Sequence, residues 1–325
     1  MGSVGRRRFL LETGALVGAP LFARAQSPRT YSVGIVHLGG DYSAAFDGLR
    51  DGLKEFGLQE GKQIDFLVHN LEGDRKLADS AARNLERQKV DLIYSITTSV
   101  SIAVKRATNT VPVVFYAGTD PVRFGLVQSL ARPGGRLTGI YSQVTSLMAK
   151  RLQLLKELIP TLHRVAYFYD RRNPLAEEVT RAQRVAARQL DLGLVERPVD
   201  SAASLQASLD SLRPGDADAV AYVDSLVVSQ TAMVIEFARA KRLAIMAPDR
   251  ASVAQGALAS YGVSYYRAGQ LAAKQVDRIL HGVAPSDLPV EQMDRLHFAI
   301  NLKTAKAIGL AIPQPVLLEA DEVIE

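Results

Sequence analysis

The chain predicts an α/β fold of two doubly wound parallel-sheet lobes joined by crossover hinges. Its 325 residues, 47% of them apolar, exceed what one hydrophobic core usually supports and suffice for two. From Tyr31 onward, short β-rich apolar runs alternate with amphipathic helical stretches, the pattern of parallel sheets covered by helices. After Ile140 the alternation starts again, so βα units run twice along the chain.

The first lobe opens with a strand over 31–37, Tyr31-Ser32-Val33-Gly34-Ile35-Val36-His37, rich in β-branched and aromatic residues. A helix over 43–56 follows, then strands over 63–69, 91–96 and 111–116 with helices between them. A helix over 145–158 stops at Pro160, and Arg164-Val165-Ala166-Tyr167-Phe168-Tyr169 restarts the strands over 163–169. Further strands are expected over 194–199, 217–223, 243–246 and 257–261, and a long helix over 265–281 returns to the first lobe. Crossovers fall at 137–142, 261–264 and 289–295. Lobe I then comprises 26–139 plus 264–290, and lobe II 140–263 plus 291–325. Two such sheets leave a cleft faced by the carboxyl ends of their strands.

Residues 1–25 have the form of a targeting segment. Arg6-Arg7-Arg8-Phe9-Leu10 is a twin-arginine cluster, 11–22 a weakly apolar stretch, and Ala23-Arg24-Ala25 a small-x-small cleavage pattern. The expectation is a twin-arginine signal peptide cleaved after Ala25 and a mature protein in the periplasm. Its four arginines and one glutamate carry +3 of the net charge of +5, leaving +2 for the remainder, so a nucleic-acid partner is not expected. No apolar run reaches the roughly 18 residues of a membrane span. The absence of cysteine removes disulfides, thiolate metal sites, a cysteine nucleophile and the lipid-bearing cysteine of a lipoprotein.

Several blocks occur in order over residues 30–322. The first are Phe46-Asp47-Gly48-Leu49 with Glu60-Gly61-Lys62-Gln63-Ile64, Lys89-Val90-Asp91-Leu92-Ile93, and Lys105-Arg106-Ala107-Thr108. The most specific run is Asp120-Pro121-Val122, Gly125-Leu126-Val127, Ala131-Arg132-Pro133-Gly134-Gly135 and Leu137-Thr138-Gly139. The C-terminal blocks are Arg278-Ile279-Leu280-His281-Gly282, Asp287-Leu288-Pro289-Val290, Ile300-Asn301-Leu302-Lys303-Thr304-Ala305-Lys306 and Gly309-Leu310-Ala311-Ile312-Pro313. Together they resemble the ABC transporter substrate-binding proteins that include tryptophan- and phenylalanine-binding members. The resemblance implies the type I periplasmic binding protein fold and a small-molecule ligand, an amino acid or related small carboxylate. It also implies a monomer without cofactor that delivers its ligand to an ABC permease in the inner membrane. The chain departs from the family pattern at Thr97, where glycine is usual, and at Arg136, where asparagine is usual.

Candidate ligand contacts lie just past strand ends, where helix N-termini present unpaired N–H groups. Thr97, Thr98 and Ser99 offer hydroxyls and backbone donors for a carboxylate, and equally serve as helix caps. Tyr116, Gly118, Thr119 and Asp120 end another strand; Asp120-Pro121 also has the form of a helix start, which favours Asp120 as a cap. His37, Gly39 and Tyr42 follow the first strand, with Tyr42 placed to pack an apolar ligand face. Tyr141, Ser142, Tyr169, Asn173, Asp224, Ser225 and Pro248 hold the matching positions of the second lobe, with Asp224 the best counter-charge for an amine. Each could instead be an ordinary loop residue.

Enzyme chemistry finds no support. No Gly-x-Gly-x-x-Gly follows a strand, no Gly-x-Ser-x-Gly elbow occurs, and the five histidines His37, His69, His163, His281 and His297 lack metal-ligand spacing. The rival to transport is a sensor subunit that presents the same small molecule to a membrane signalling receptor.

Overall fold

The computed structural model describes residues 29–293 and 295–325, together with Gly2; apart from Gly2, the expected signal peptide lies outside the described residues. The first sheet contains β1 (Tyr31–His37), β2 (Ile64–Asn70), β3 (Leu92–Ile96), β4 (Val113–Ala117), β5 (Leu137–Tyr141) and the short β11 (Glu291–Gln292). The second contains β6 (Arg164–Asp170), β7 (Gly193–Val199), β8 (Ala219–Ala221), β9 (Ala244–Ala247), β10 (Ala259–Gly262), β12 (His297–Asn301) and β13 (Glu322–Ile324). Their orders are β11-β5-β4-β3-β1-β2 and β13-β12-β10-β9-β8-β6-β7. All pairings are parallel except β10 with β12.

Helices cover both faces of the central strands, and this is why β3 and β4 are buried at every position and read as unbroken apolar runs. The helices are α1 (Ser43–Glu55), α2 (Ala78–Arg87), α3 (Thr98–Ala107), α4 (Met148–Leu158), α5 (Ala176–Gln189) and α6 (Ala202–Asp210). They continue with α7 (Ser225–Ser229), α8 (Thr231–Lys241), α9 (Arg250–Gln255), α10 (Tyr265–Leu280), α11 (Leu302–Ile308) and α12 (Gln314–Glu319). None of the described helices is long and apolar enough to cross a membrane.

The chain passes between sheets three times. After β5 it runs through a 3-10 turn, Val144–Leu147, into α4, which packs under β9 and β10. After β10 it enters α10, which packs on α1 and against β4 and β5. After β11 it enters β12. Ile140 and Tyr141, expected in the second lobe, remain paired with β4 in the first sheet, and Glu291 and Gln292 join the same edge. The Tyr141 hydroxyl donates to Gln292 Oε1 at 2.8 Å and helps hold that edge. The crossings therefore lie at 142–147, 263–264 and 293–296.

Candidate ligand-binding cleft

The carboxyl ends of β1, β3 and β4 face those of β6 and β8 across a cavity of about 50 Å3, room for a few waters. Nine of the residues expected at the cleft line it: Tyr42, Thr97, Thr98, Ser99, Tyr116, Gly118, Asn173, Asp224 and Ser225. Val144, Tyr167, Leu175, Ala176, Val179, Val223 and Tyr265 complete the wall without having been singled out in the sequence. Tyr265 was within reach of the strand-end rule, because it opens the helix after a crossover. Tyr167 was not, since it sits inside a strand and reaches the cavity from below its rim.

The hydroxyl side is built by the turn from β3 into α3. Thr97 caps α3, its Oγ1 accepting from Val100 N at 3.4 Å and lying 3.2 Å from Ser99 Oγ. Its backbone has φ +92°, a conformation that side chains rarely adopt and that persists only where the surroundings impose it. A glycine would sit there without strain, which is the residue the family pattern favours. Thr98 Oγ1 accepts from Gly118 N at 3.1 Å, tying the β3 and β4 turns together, and keeps its own proton to donate.

Asp224 faces this turn from the second lobe. It accepts from Asn173 Nδ2 at 2.9 Å and caps α7 through Leu226 N at 2.9 Å. Burial raises its pKa above the usual aspartate value, while the Asn173 and Leu226 hydrogen bonds work the other way. Between the two polar sides stand aromatic rings. Tyr265 packs on Tyr42 at 4.9 Å and edge-on to Tyr116 at 5.7 Å, and Tyr116 shares a 3.0 Å hydrogen bond with Ser142. Behind them Arg151 is buried, its Nε donating to Tyr261 O at 2.6 Å while Nη1 has no partner. Burial lowers that guanidinium to about 10.

The other eight expected contacts do not line the cavity. His37 accepts from Gly39 N at 3.1 Å and is held neutral-leaning by burial, and a side chain on Gly39 would strike Asn70. Thr119 is buried, and Asp120 accepts from Val122 N at 2.8 Å. The segment after Asp120 is a series of turns rather than the helix its Asp-Pro start suggested. Tyr141 serves the sheet edge and Ser142 supports Tyr116 from behind. Tyr169 stacks on Tyr167 at 5.5 Å and reaches Glu196, and Pro248 is buried with its carbonyl against Gly262. Among the described residues no group of three or more His, Cys, Asp or Glu could hold a metal ion.

Contacts across the cleft join the lobes. Arg75 reaches Asp170 at 2.6 Å, and Asp41 is buried against Thr231, Ser252 and Gln255 of the second lobe. Gly40 approaches α7 so closely that a Cβ would lie 2.4 Å from Val228 O. The small cavity and these contacts are those of a closed cleft.

Two facing α/β lobes with aromatic rings and polar strand-end groups between them define a ligand-binding protein of the type I periplasmic binding class. The chain belongs to the family of ABC transporter substrate binding proteins, whose sequence model matches residues 34–324. This is a family of substrate-binding proteins, not of enzymes. The chain is 30% identical over 265 residues to a tyrosine-binding protein of Clostridioides difficile, covering 81% of this chain and 76% of that one. A Streptococcus pneumoniae structure in complex with L-Trp is 25% identical, with a TM-score of 0.79 over 91% of this chain and 100% of its own. A ligand-free, open structure of a Clostridium difficile substrate binding protein is 26% identical over 91% of this chain and 99% of its own, with a TM-score of 0.59. At matched identity and coverage, the chain as a whole superposes better on the ligand-bound relative.

Proposed function

We propose that this protein captures an amino acid or related small carboxylate between its lobes and delivers it to an ABC importer, after export to the periplasm through the twin-arginine signal. The observation that carries the ligand class is the pairing of the Thr97-Thr98-Ser99 turn on one wall with Asp224 on the other, with aromatic rings between. A carboxylate suits the first, where hydroxyls and the N-terminal N–H groups of α3 converge. An ammonium suits the second. The relatives that bind tyrosine and L-Trp support the same class. The contacts that join the lobes across the cleft must open for a ligand to enter.

A thermal-shift screen over amino acids, organic acids, nucleosides and sugars identifies the ligand, and calorimetry then tests the turn. Hydrogen bonds to charged groups contribute roughly 1.5–3 kcal/mol each, so Thr98→Ala is expected to weaken binding about ten- to a hundredfold. The same change leaves Gly118 N without its acceptor, so melting should fall too. Thr98→Ser restores both. Full affinity in Thr98→Ala removes the carboxylate from this turn, and hits confined to sugars or nucleosides refute the ligand class.

A further inference from the structure

The second and third crossovers border a second cavity, of about 260 Å3, on the hinge and outside the cleft. Three of its lining residues are arginines from three parts of the chain: Arg250 begins α9 in the second lobe, Arg267 lies in the first turns of α10, and Arg295 sits in the third crossover. Among the described residues no carboxylate lines it. Arg250 is neutralised from behind by Glu322. Arg267 spends one nitrogen on the neutral Gln270, at 3.1 Å. Arg295 makes no ion pair among the described residues. His297 adds a buried Nδ1 without a hydrogen-bond partner. The cavity also opens at the N-terminus of the sixteen-residue α10, where Ser264 is the cap and the helix dipole favours negative charge.

We infer that this hinge cavity is a binding site for a divalent oxyanion. Two guanidiniums without an ion pair among the described residues line one space, and their mutual repulsion is relieved when a doubly charged group with several acceptor oxygens bridges them. Planar guanidinium forks match phosphate, sulfate or paired carboxylate oxygens better than a single monovalent ion does. The groups belong to both lobes and to the segment between them, so an occupant braces the hinge itself. The cleft offers no such chemistry, since among the described residues no arginine or lysine lines it.

The test is melting of the full mature chain in sodium phosphate and in sodium sulfate, each against sodium chloride at equal ionic strength. Binding to the folded state should give a saturable rise of roughly 2–5 °C. The rise should vanish in the Arg267→Gln/Arg295→Gln double variant and persist in Thr98→Ala, which alters only the cleft. Both arginines are exposed, so the double variant should melt in chloride as the parent does. Loss of the rise in Thr98→Ala would move the oxyanion to the cleft. An equal rise in chloride, or one that survives the double substitution, overturns the hinge site. If the double variant melts lower in chloride, calorimetric titration of phosphate into each single variant decides: wild-type affinity in both overturns it.

Discussion

Asp249 is a buried carboxylate at the seam of the hinge, its Oδ1 accepting from Ala251 N at 2.7 Å and its Oδ2 from Tyr265 N at 2.9 Å. One bond caps α9 in the second lobe and the other holds the start of α10. Loss of water around the carboxylate outweighs these bonds and, with a smaller push from Asp41, lifts its pKa to about 6. A carboxyl with a raised folded value holds its proton more tightly folded than unfolded. The stability it contributes is therefore present below the ordinary aspartate range and is lost as pH rises to about 6, on the order of 2–3 kcal/mol. Melting wild type and Asp249→Asn from pH 4 to 7 isolates this group: the wild type should lose ground across that window. Parallel curves would show that Asp249 titrates normally. Nothing in the sequence marked Asp249, because burial is a property of the assembled hinge. Arg151 escaped notice for the same reason. Thr97, Thr98 and Asp224 were legible because a polar residue between a strand and a helix has a position that topology alone fixes.

Helices α1 and α10 show how packing along two helices sets the geometry of the cleft they lead into. A Cβ on Gly48 would lie 1.9 Å from Tyr266 O, and one on Gly269 would lie 2.0 Å from Ala45 O, so at each close approach a glycine of one helix meets the backbone of the other. Because α10 begins with Tyr265, any shift of this pair moves a cleft wall. Gly269→Ala should therefore force the helices apart and cost about 1–3 kcal/mol, the usual penalty of overpacking. Chemical denaturation should show the loss in the midpoint, and an unchanged midpoint would mean the helices part without cost. The strands themselves were readable from residue chemistry: β1 falls at 31–37 as its aromatic and β-branched run predicts. Less legible were the ends. β8 keeps only Ala219–Ala221 of an apolar run over 217–223, since its neighbours pair with it no further. Pairing across a crossover, as between β5 and β11, joins residues 151 positions apart and leaves no local signal.

At the scale of the whole molecule, closure is an equilibrium that a ligand biases only through contacts made in the closed state. Arg75 and Asp170 form one such contact, on opposite lobes and outside the cleft cavity. Their side chains are 16% and 2% exposed, so the pair is little screened. Asp170 also holds Arg172 at 3.1 Å within its own lobe, so it keeps a counter-charge when Arg75 is lost. Arg75→Ala should therefore spare folding and remove only a contact of the closed form. A charge-assisted hydrogen bond contributes roughly 1.5–3 kcal/mol. Where the ligand-free protein is mostly open, apparent affinity carries that whole loss. We expect binding at least about tenfold weaker, through a variant that touches no ligand. Small-angle scattering gives the second readout: the radius of gyration should fall on saturation of wild type, and more ligand should be needed to produce the same fall in Arg75→Ala. Equal affinity, with the two titrations superposed, would show that the pair forms as a consequence of closure and contributes nothing to it.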